Sequence, residues 1–236
     1  DTCRGGTIPL GTGAATQMGV NSPINPNALG LGNAGTISFW YRNNLAWNVG
    51  SSNNNERTLL DATGGSNTTE FWLVLQQTGA LQFSLDNAGG ASQTATGTVK
   101  AFGVNTWQHI AITWDFTAHT MFIYVDGVQD ATRNNAAVTS ATPNYSTFFV
   151  GDSKTAVFTN PNRGNSANGV IDEVRVYTSA LTAAQITTDM NATHACTSVD
   201  HYELSLPTSS ITCLPTLTTV TACADTTSPC TNKYAG

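Results

Sequence analysis

Charged side chains are scarce: Asp, Glu, Lys and Arg make up 10% of the 236 residues, against about 25% in a usual soluble domain. Nine Lys and Arg stand against fifteen Asp and Glu, so the formal net charge is −6. Because phosphate backbones are held by clustered basic side chains, this composition argues against nucleic-acid binding. A surface poor in charge must be covered by Thr, Ser, Asn, Gln and Gly, which favours an extracellular protein.

Long apolar runs are also missing. No run approaches 18 residues, so the sequence predicts no membrane insertion. The first four residues lack the apolar core of a signal peptide. We therefore expect either a mature chain or a fragment of a longer protein. The five Trp, nine Phe and six Tyr lie in apolar runs, which predicts a folded core rather than disorder.

Cysteine is absent between residues 4 and 195, and no CxxC occurs, which disfavours zinc ribbons and redox sites. The five cysteines are Cys3, Cys196, Cys213, Cys223 and Cys230. They predict structural disulfides in an oxidising compartment. Cys223–Cys230 is favoured as a local disulfide. Cys3–Cys196 is favoured as a disulfide that joins the N-terminus to the end of the main domain. The pairing stays open, and one cysteine is left for an intermolecular bond or for a partner beyond residue 236.

What is present is a series of short apolar runs separated by turn residues. Residues 81–85 alternate Leu-Gln-Phe-Ser-Leu, as in a half-buried strand. Asp126-Gly127 lies between two apolar runs, a strong hairpin signal. Further strands are predicted at 36–42, 57–62, 70–76, 107–114, 121–125, 128–129, 148–151 and 170–177. Because these strands do not alternate with helices in βαβ units, the pattern predicts an all-β, antiparallel two-sheet sandwich.

The sequence predicts one short helix at residues 182–186, with Thr182 as its N-cap. The composition changes near Thr197, beyond which Thr and Cys are enriched and strands are predicted at 201–206 and 216–222. We therefore expect a main domain at 1–197 and a C-terminal β segment at 198–236. The segment is short for a core of its own, so it either packs on the main domain or begins a second β module.

Three motifs follow one another in a familiar order: WQHIAITWD at 107–115, FIYVDG at 122–127 and GVIDEVRVY at 169–177. Together they resemble the laminin-G-like, concanavalin-A-like jelly-roll domains of secreted and cell-surface proteins. The resemblance covers roughly residues 15–190 and implies a jelly-roll sandwich. It does not imply one function, because the fold hosts many activities.

The C-terminal segment at 198–236, called the tail below, carries a second resemblance. DHYEL at 200–204, Leu-Pro at 214–215 and VTACAD at 220–225 are similar to the region that follows the lectin-like domain in MSHA-pilus biogenesis protein Q and similar bacterial surface proteins. This implies a place outside a Gram-negative cell, near type IV pilus machinery. Such proteins are longer, so it also implies a fragment or a processed subunit.

The jelly-roll resemblance implies Ca²⁺ as a candidate cofactor, because related domains often hold it in rim loops. Calcium takes about six to eight oxygen ligands. The candidate metal ligands are Asp61, Asp86, Asp152 and Asp172. Two observations count against the site. The chain has no DxDxDG loop, and Met-Gly-Val-Asn at 18–21 stands where the family often has an acidic residue.

The pair Asp172-Glu173 has two interpretations: a calcium or acid–base site, or a structural pair. Neighbours on a strand point to opposite faces, which favours the structural interpretation. Asp172 would then accept backbone hydrogen bonds, and Glu173 would pair with a cation. Asp126 is expected to serve the hairpin turn.

Enzyme chemistry is disfavoured. A glycosidase usually needs two carboxylates across the scissile bond, and the four Glu do not form the Glu-x-Asp-x-x-Glu pattern of jelly-roll glucanases. No GxSxG and no Ser-His-Asp order occurs. His109 alternates with apolar residues and is interpreted as an outward-facing strand residue. We expect no catalytic residue.

Aromatic rings are the other route to sugars, because indoles stack on the apolar faces of pyranoses. Trp40, Trp72, Trp107 and Trp114 lie within strand patterns and are interpreted as core. Trp47 adjoins a polar loop at 48–55. The candidate ligand-binding residues are Trp47, Asn53, Asn54 and Asn55. The alternative is an ordinary long hydrophilic loop.

These patterns predict a non-catalytic extracellular recognition and adhesion module, associated with a pilus or the cell surface. Its partner would be a glycan or another surface ligand, bound by rim loops on a rigid sandwich. The alternative is a structural subunit of a pilus or fibre. In that case the tail or the N-terminal arm would pair with a neighbouring copy by strand addition, giving a homo-oligomer or fibre.

Overall fold

A computed structural model describes residues 6–8, 32–48, 56–62, 71–86, 91–139, 149–151, 167–192, 201–205, 219–223, 228–229 and 231. The chain divides into two compact units. One is Arg4–Ala192, and the other is formed by Asp1–Cys3 with Thr193–Gly236. No helix in the described part of the chain is long and apolar enough to cross a membrane.

The first unit is a sandwich of two antiparallel sheets. Its strands are β1 (Gly6–Ile8), β2 (Ala34–Asn43), β3 (Arg57–Asp61), β4 (Phe71–Leu75), β5 (Leu81–Asp86), β6 (Ser92–Thr96), β7 (Trp107–Asp115), β8 (Thr120–Val125), β9 (Val128–Asn134), β10 (Phe149–Val150) and β11 (Gly169–Tyr177). The six-stranded sheet has the order β1-β11-β2-β7-β8-β9, and the five-stranded sheet β10-β3-β4-β5-β6. The predicted jelly-roll sandwich is confirmed.

The core lies between the two sheets, where alternate apolar side chains of each strand meet. Phe71 and Phe83 of the five-stranded sheet have ring centroids 5.3 Å apart, and Phe71 lies 5.2 Å from the Trp114 ring of the other sheet. Ile37 on β2 and Ile112 on β7 are fully buried in the same cluster. Burial of such side chains contributes about 1.5–3 kcal/mol each.

Three strands at sheet edges differ from the prediction, and the first of them, β1, was not predicted at all. β6 reads Ser-Gln-Thr-Ala-Thr, and β9 continues to Asn134 rather than ending at 129. Both have mostly polar sequences, and β9 has a single buried residue, Ala131. An edge strand of this kind lacks the apolar run that signals a strand. Arg133 of β9 donates two hydrogen bonds to the Gln93 Oε1 atom of β6, which links the two sheets along this side.

The hairpin between β8 and β9 forms as predicted. Asp126 and Gly127 have φ values of 50° and 76°, the positive values that a type I′ turn needs. The Asp126 Oδ1 atom accepts the backbone N–H of His109 at 2.8 Å. Asp126 therefore has the structural role that was expected.

The helix α1 (Ala183–Asn191) begins at the predicted cap but runs five residues further than predicted. Thr182 and Gln185 form a capping box. The helix continues because tertiary contacts support it: Ile186 packs against Ala111 and Tyr124 on the outer face of the six-stranded sheet. The run Thr187-Thr188 has low helix propensity, which is why the sequence pattern alone ended earlier.

The second unit contains β12 (His201–Ser205) and β13 (Thr219–Cys223), which pair antiparallel. Both strands match the predicted segments to within a few residues. Cys223 is disulfide-bonded. Its partner lies outside the described residues, so the pairing Cys223–Cys230 stays a prediction, as does Cys3–Cys196.

Candidate functional site

The outer face of the six-stranded sheet carries the most favourable candidate site, at the end not covered by α1. Alternation on β2 and β7 sends Phe39 and Ile110 into the core and the residues beside them outward. The strand register then places outward residues in two rows. Asp172, Trp40 and His109 form one row, and Val170, Arg42 and Trp107 form the next. We call Trp40, Arg42, Trp107 and Asp172 the Arg42 patch.

Arg42 lies over an exposed aromatic ring. Its guanidinium carbon is 5.4 Å from the centroid of the Trp107 ring, a cation–π distance. Trp107 is 41% exposed, while Arg42, Trp40 and Asp172 are partly exposed. The buried Arg42 Nε atom has no hydrogen-bond partner, and no ion pair joins Arg42 to a described residue. The patch therefore offers an aromatic surface and a cation that no carboxylate of the described residues neutralises.

A network at the strand ends holds Arg42 and Trp107 in place. The Asn43 Nδ2 atom donates to the carbonyls of Leu45 at 2.6 Å and Gly103 at 2.8 Å. The Asn105 backbone N–H donates to the Asn43 carbonyl at 2.8 Å. These bonds tie the end of β2 to the segment that leads into β7. The two side chains of the patch therefore project from a fixed backbone.

His109, next to the patch, differs from its predicted position. It points away from the sandwich core, as expected, but α1 covers it and leaves only 1% exposed. Its Nε2 atom lies 3.6 Å from the Asp189 Oδ2 atom, and its ring meets Trp40 edge-on at 5.4 Å. Burial lowers the pKa of His109 to about 4, against the opposing effect of Asp189. The imidazole is therefore neutral at pH 7 and closes one side of the patch.

Asp189 fixes α1 to the sheet beneath it. Its carboxylate accepts hydrogen bonds from Ser38 at 2.6 Å, from Arg175 at 2.8 Å and from the Tyr177 hydroxyl. Burial opposes ionisation, but these hydrogen bonds outweigh it and hold the pKa of Asp189 below its ordinary value. Arg175 also pairs with Glu173. This cluster is structural, since α1 covers it.

The pair Asp172-Glu173 adopts the structural arrangement. A bulge in β11 gives Glu173 a φ of 49°, and its carboxylate pairs with Arg175. The Asp172 Oδ1 atom accepts the Glu173 backbone N–H at 2.8 Å. The second oxygen of Asp172 makes no hydrogen bond or ion pair with a described residue. Asp172 can therefore accept a hydrogen bond at the edge of the Arg42 patch.

Trp47 lies in the core and not at a ligand-binding loop surface. It is 0% exposed, and its ring packs against Phe102 at 4.9 Å and Tyr41 at 6.4 Å. The reason is Arg57, which donates hydrogen bonds to the carbonyls of residues 45, 46 and 47 and draws this segment inward. We therefore correct the expectation that the Trp47 ring contacts a ligand. Asn53, Asn54 and Asn55 lie outside the described residues, and their role stays a prediction.

The four predicted calcium ligands do not gather at one place. Asp61 and Asp86 end β3 and β5 at the same end of the five-stranded sheet, on its outer face, with β4 between them. Both are buried, and Ser92 donates to Asp86 at 3.0 Å. Asp172 belongs to the other sheet, and Asp152 lies outside the described residues. No three His, Cys, Asp or Glu side chains in the described ranges are grouped as a metal site would require. Calcium stays a prediction.

Sequence reasoning missed Arg42 and misplaced Trp107. Of the four tryptophans interpreted as core, Trp72 and Trp114 are buried, whereas Trp40 is partly exposed and Trp107 is exposed on the outer face. The available signal was the alternation along the strand: Trp107 and His109 stand at odd positions, whereas the core residues Ile110 and Ile112 stand at even positions, so the two pairs point to opposite faces. This alternation alone did not show which part of the outer face α1 would leave uncovered.

The family comparison matches residues 15–187 to the Laminin_G_3 model, described as the concanavalin A-like lectin/glucanases superfamily. The chain belongs to this superfamily. The match covers strands β2 to β11 and the first half of α1, and it confirms the laminin-G-like resemblance. A search of curated proteins found no relative.

Solved structures with the same fold include proteins that act on or bind sugars. The Ruminococcus gnavus IT-sialidase CBM40 has a TM-score of 0.60 at 17% identity, covering 80% of this chain and 98% of that chain. The same module bound to α2,3-sialyllactose has a TM-score of 0.57 at 16% identity, covering 79% and 100%. A leech intramolecular trans-sialidase has a TM-score of 0.58 at 15% identity, covering 86% of this chain but 31% of the enzyme. At these identities the likeness shows the fold.

Proposed function

We propose that this superfamily member is a non-catalytic glycan-binding module. One observation carries the proposal: the guanidinium of Arg42 lies over a Trp107 ring that is 41% exposed, on a rigid sheet face. Exposed tryptophan is uncommon, because this side chain is buried in most folds. An indole face stacks on the apolar face of a pyranose, and the guanidinium and Asp172 supply a donor and an acceptor for sugar hydroxyls.

The fold likeness supports this proposal from a second direction. The CBM40 module is a domain of the same architecture that has been solved with sialyllactose bound. Binding in such modules needs no catalytic carboxylate pair. The Arg42 patch contains one carboxylate, that of Asp172, and so lacks the second carboxylate that most glycosidases use.

We further propose that the module works outside the cell, on a surface or pilus, as an adhesion domain. Low charge, a Thr-, Asn- and Gly-rich composition and cysteines confined to the ends support an oxidising, extracellular setting. The tail resemblance to MSHA-pilus proteins supports a bacterial surface. Calcium as a cofactor and assembly into a fibre remain predictions.

The experiment is glycan-array screening of the whole chain, followed by calorimetric titration of the best ligand. Trp107→Ala is expected to weaken binding at least tenfold, because it removes the stacking surface. Trp107→Phe keeps an aromatic ring and should retain most of the affinity. Val128→Ala is the control, since Val128 is 69% exposed and lies at the far edge of the same sheet.

Thermal unfolding of each variant checks that the fold is intact. Binding by Trp107→Ala at the wild-type affinity would place the site elsewhere. A chain that binds no glycan on the array would contradict the proposed function itself.

A further inference from the structure

We propose that Arg42 makes this site selective for glycans that carry a carboxylate, as sialic and uronic acids do. This rests on the proposed function and names the ligand class of the same patch. The central observation is that Arg42 lies over an exposed aromatic ring and pairs with no carboxylate among the described residues.

The other described cations are already engaged. Arg57 donates to three backbone carbonyls, and Lys100 pairs with Asp130. Arg133 bonds Gln93, and Arg175 bonds Asp189 and Glu173. Among the described residues, Arg42 alone makes neither a hydrogen bond nor an ion pair through its guanidinium. A cation kept in this condition on a chain of net charge −6 is best explained by an external anion.

The geometry of the guanidinium fits a carboxylate. The Nε atom is buried and has no hydrogen-bond partner among the described residues, whereas neither Nη atom is both buried and unpaired. The planar Nη edge can therefore donate two parallel hydrogen bonds to a carboxylate, the arrangement that makes arginine selective for this group. The contact with the Trp107 ring restricts the Arg42 side chain, so less side-chain entropy is lost on binding.

The surroundings favour a sugar acid over a free anion. Asp172 belongs to the row next to Arg42 and repels small anions, but its unengaged oxygen can accept a hydroxyl of a polyol ligand. The partly exposed Trp40 extends the aromatic surface on the same face. A ligand that combines a carboxylate, hydroxyls and an apolar ring face uses all four side chains. Acetate or phosphate uses only one.

The test compares acidic sugars with neutral counterparts of the same size. One arm titrates α2,3-sialyllactose against the methyl ester of its sialic acid, and the other a galacturonic acid trimer against its methyl ester. The wild-type chain is expected to bind at least one acidic sugar tenfold or more tightly than its neutral counterpart. The two arms distinguish sialic from uronic acids as the source of the carboxylate.

Variants then assign the preference to Arg42. Arg42→Gln should abolish the preference for the acidic sugar, and Arg42→Lys should retain a reduced preference because it keeps the charge but loses the paired donors. Arg133→Gln is the matched control, since it removes the same charge from another strand of this sheet, and it should behave as the wild type. Thermal unfolding confirms that each variant is folded.

Equal affinity for acidic and neutral sugars, or a preference that survives Arg42→Gln, would overturn the inference. A chain that binds neutral glycans through Trp107 without any acidic preference would leave the proposed function standing while this inference falls. Failure to bind any glycan would remove both.

Discussion

At the residue scale, Arg57 shows how one buried cation shapes the molecule. Its side chain is 2% exposed and donates to the carbonyls of residues 45, 46 and 47 at 2.8 to 3.1 Å. Those bonds replace the water that the backbone of a turn would otherwise bind. They also turn Trp47 into the core, where burial of the adjoining Tyr41 raises the pKa of its hydroxyl to about 12.

Arg57→Ala is therefore expected to destabilise the fold by about 3 kcal/mol or more, because it removes the donor from the carbonyls of Ala46 and Trp47, leaves the Leu45 carbonyl with Asn43 alone and opens a cavity. Urea unfolding monitored by tryptophan fluorescence measures the change. Arg133→Ala, which loses bonds to one edge-strand glutamine, should cost under about 1 kcal/mol. Equal losses for the two variants would show that the Arg57 contacts do not order the turn.

At the element scale, α1 is held by polar contacts as much as by apolar packing. Ile186 supplies the buried apolar contact, while Asp189 bonds Ser38, Arg175 and Tyr177 beneath the helix. A buried, fully bonded carboxylate fixes one orientation of the helix, since removing any partner leaves a charge unsatisfied. His109 lies against this cluster and beside Trp40, so its ring connects the helix to the Arg42 patch.

His109 gives the fold a pH dependence whose sign follows from its lowered pKa. Between pH 6.5 and about 4, His109 is protonated in the unfolded chain but neutral in the folded chain. The free energy of unfolding therefore falls as the pH drops through this range. The full difference amounts to about 3 kcal/mol. His109→Gln is expected to flatten this part of the stability profile, as measured by urea unfolding between pH 7 and pH 4.

The matched control is His119→Asn, at a turn position with φ of 57° that asparagine also adopts. Its stability profile is the reference with which that of His109→Gln is compared. Two variants with the same slope would mean that His109 is not the titrating group. An NMR titration of the His109 ring with a midpoint near 6.5 would show that folding does not lower its pKa and would contradict the prediction.

Much of the fold could be predicted from the sequence, because apolar alternation and turn residues are local signals. The hairpin at Asp126-Gly127 and the cap at Thr182 are examples. The site could not be predicted in the same way. Placing Arg42 over Trp107 requires the register of β2 against β7, and burying His109 requires a helix about 80 residues away. Trp47 was misplaced because its position depends on the inward pull of Arg57.

At the scale of the whole molecule, the two sheets separate the candidate features. The outer face of the six-stranded sheet carries both α1 and the Arg42 patch, whereas Asp61 and Asp86 lie on the outer face of the other sheet. A glycan on the Arg42 patch and a cation near Asp61 would therefore occupy opposite sides of the sandwich. The fold itself selects neither, because one jelly roll hosts many activities.

The most direct measurement is a ¹H–¹⁵N NMR spectrum of the five indole N–H groups during titration of the whole chain with α2,3-sialyllactose. Trp107 is expected to shift most and Trp40 next, because their rings belong to the Arg42 patch. The indoles of Trp47, Trp72 and Trp114 are buried and should stay in place. Shifts confined to those three, with Trp107 unchanged while the sugar binds, would contradict the account.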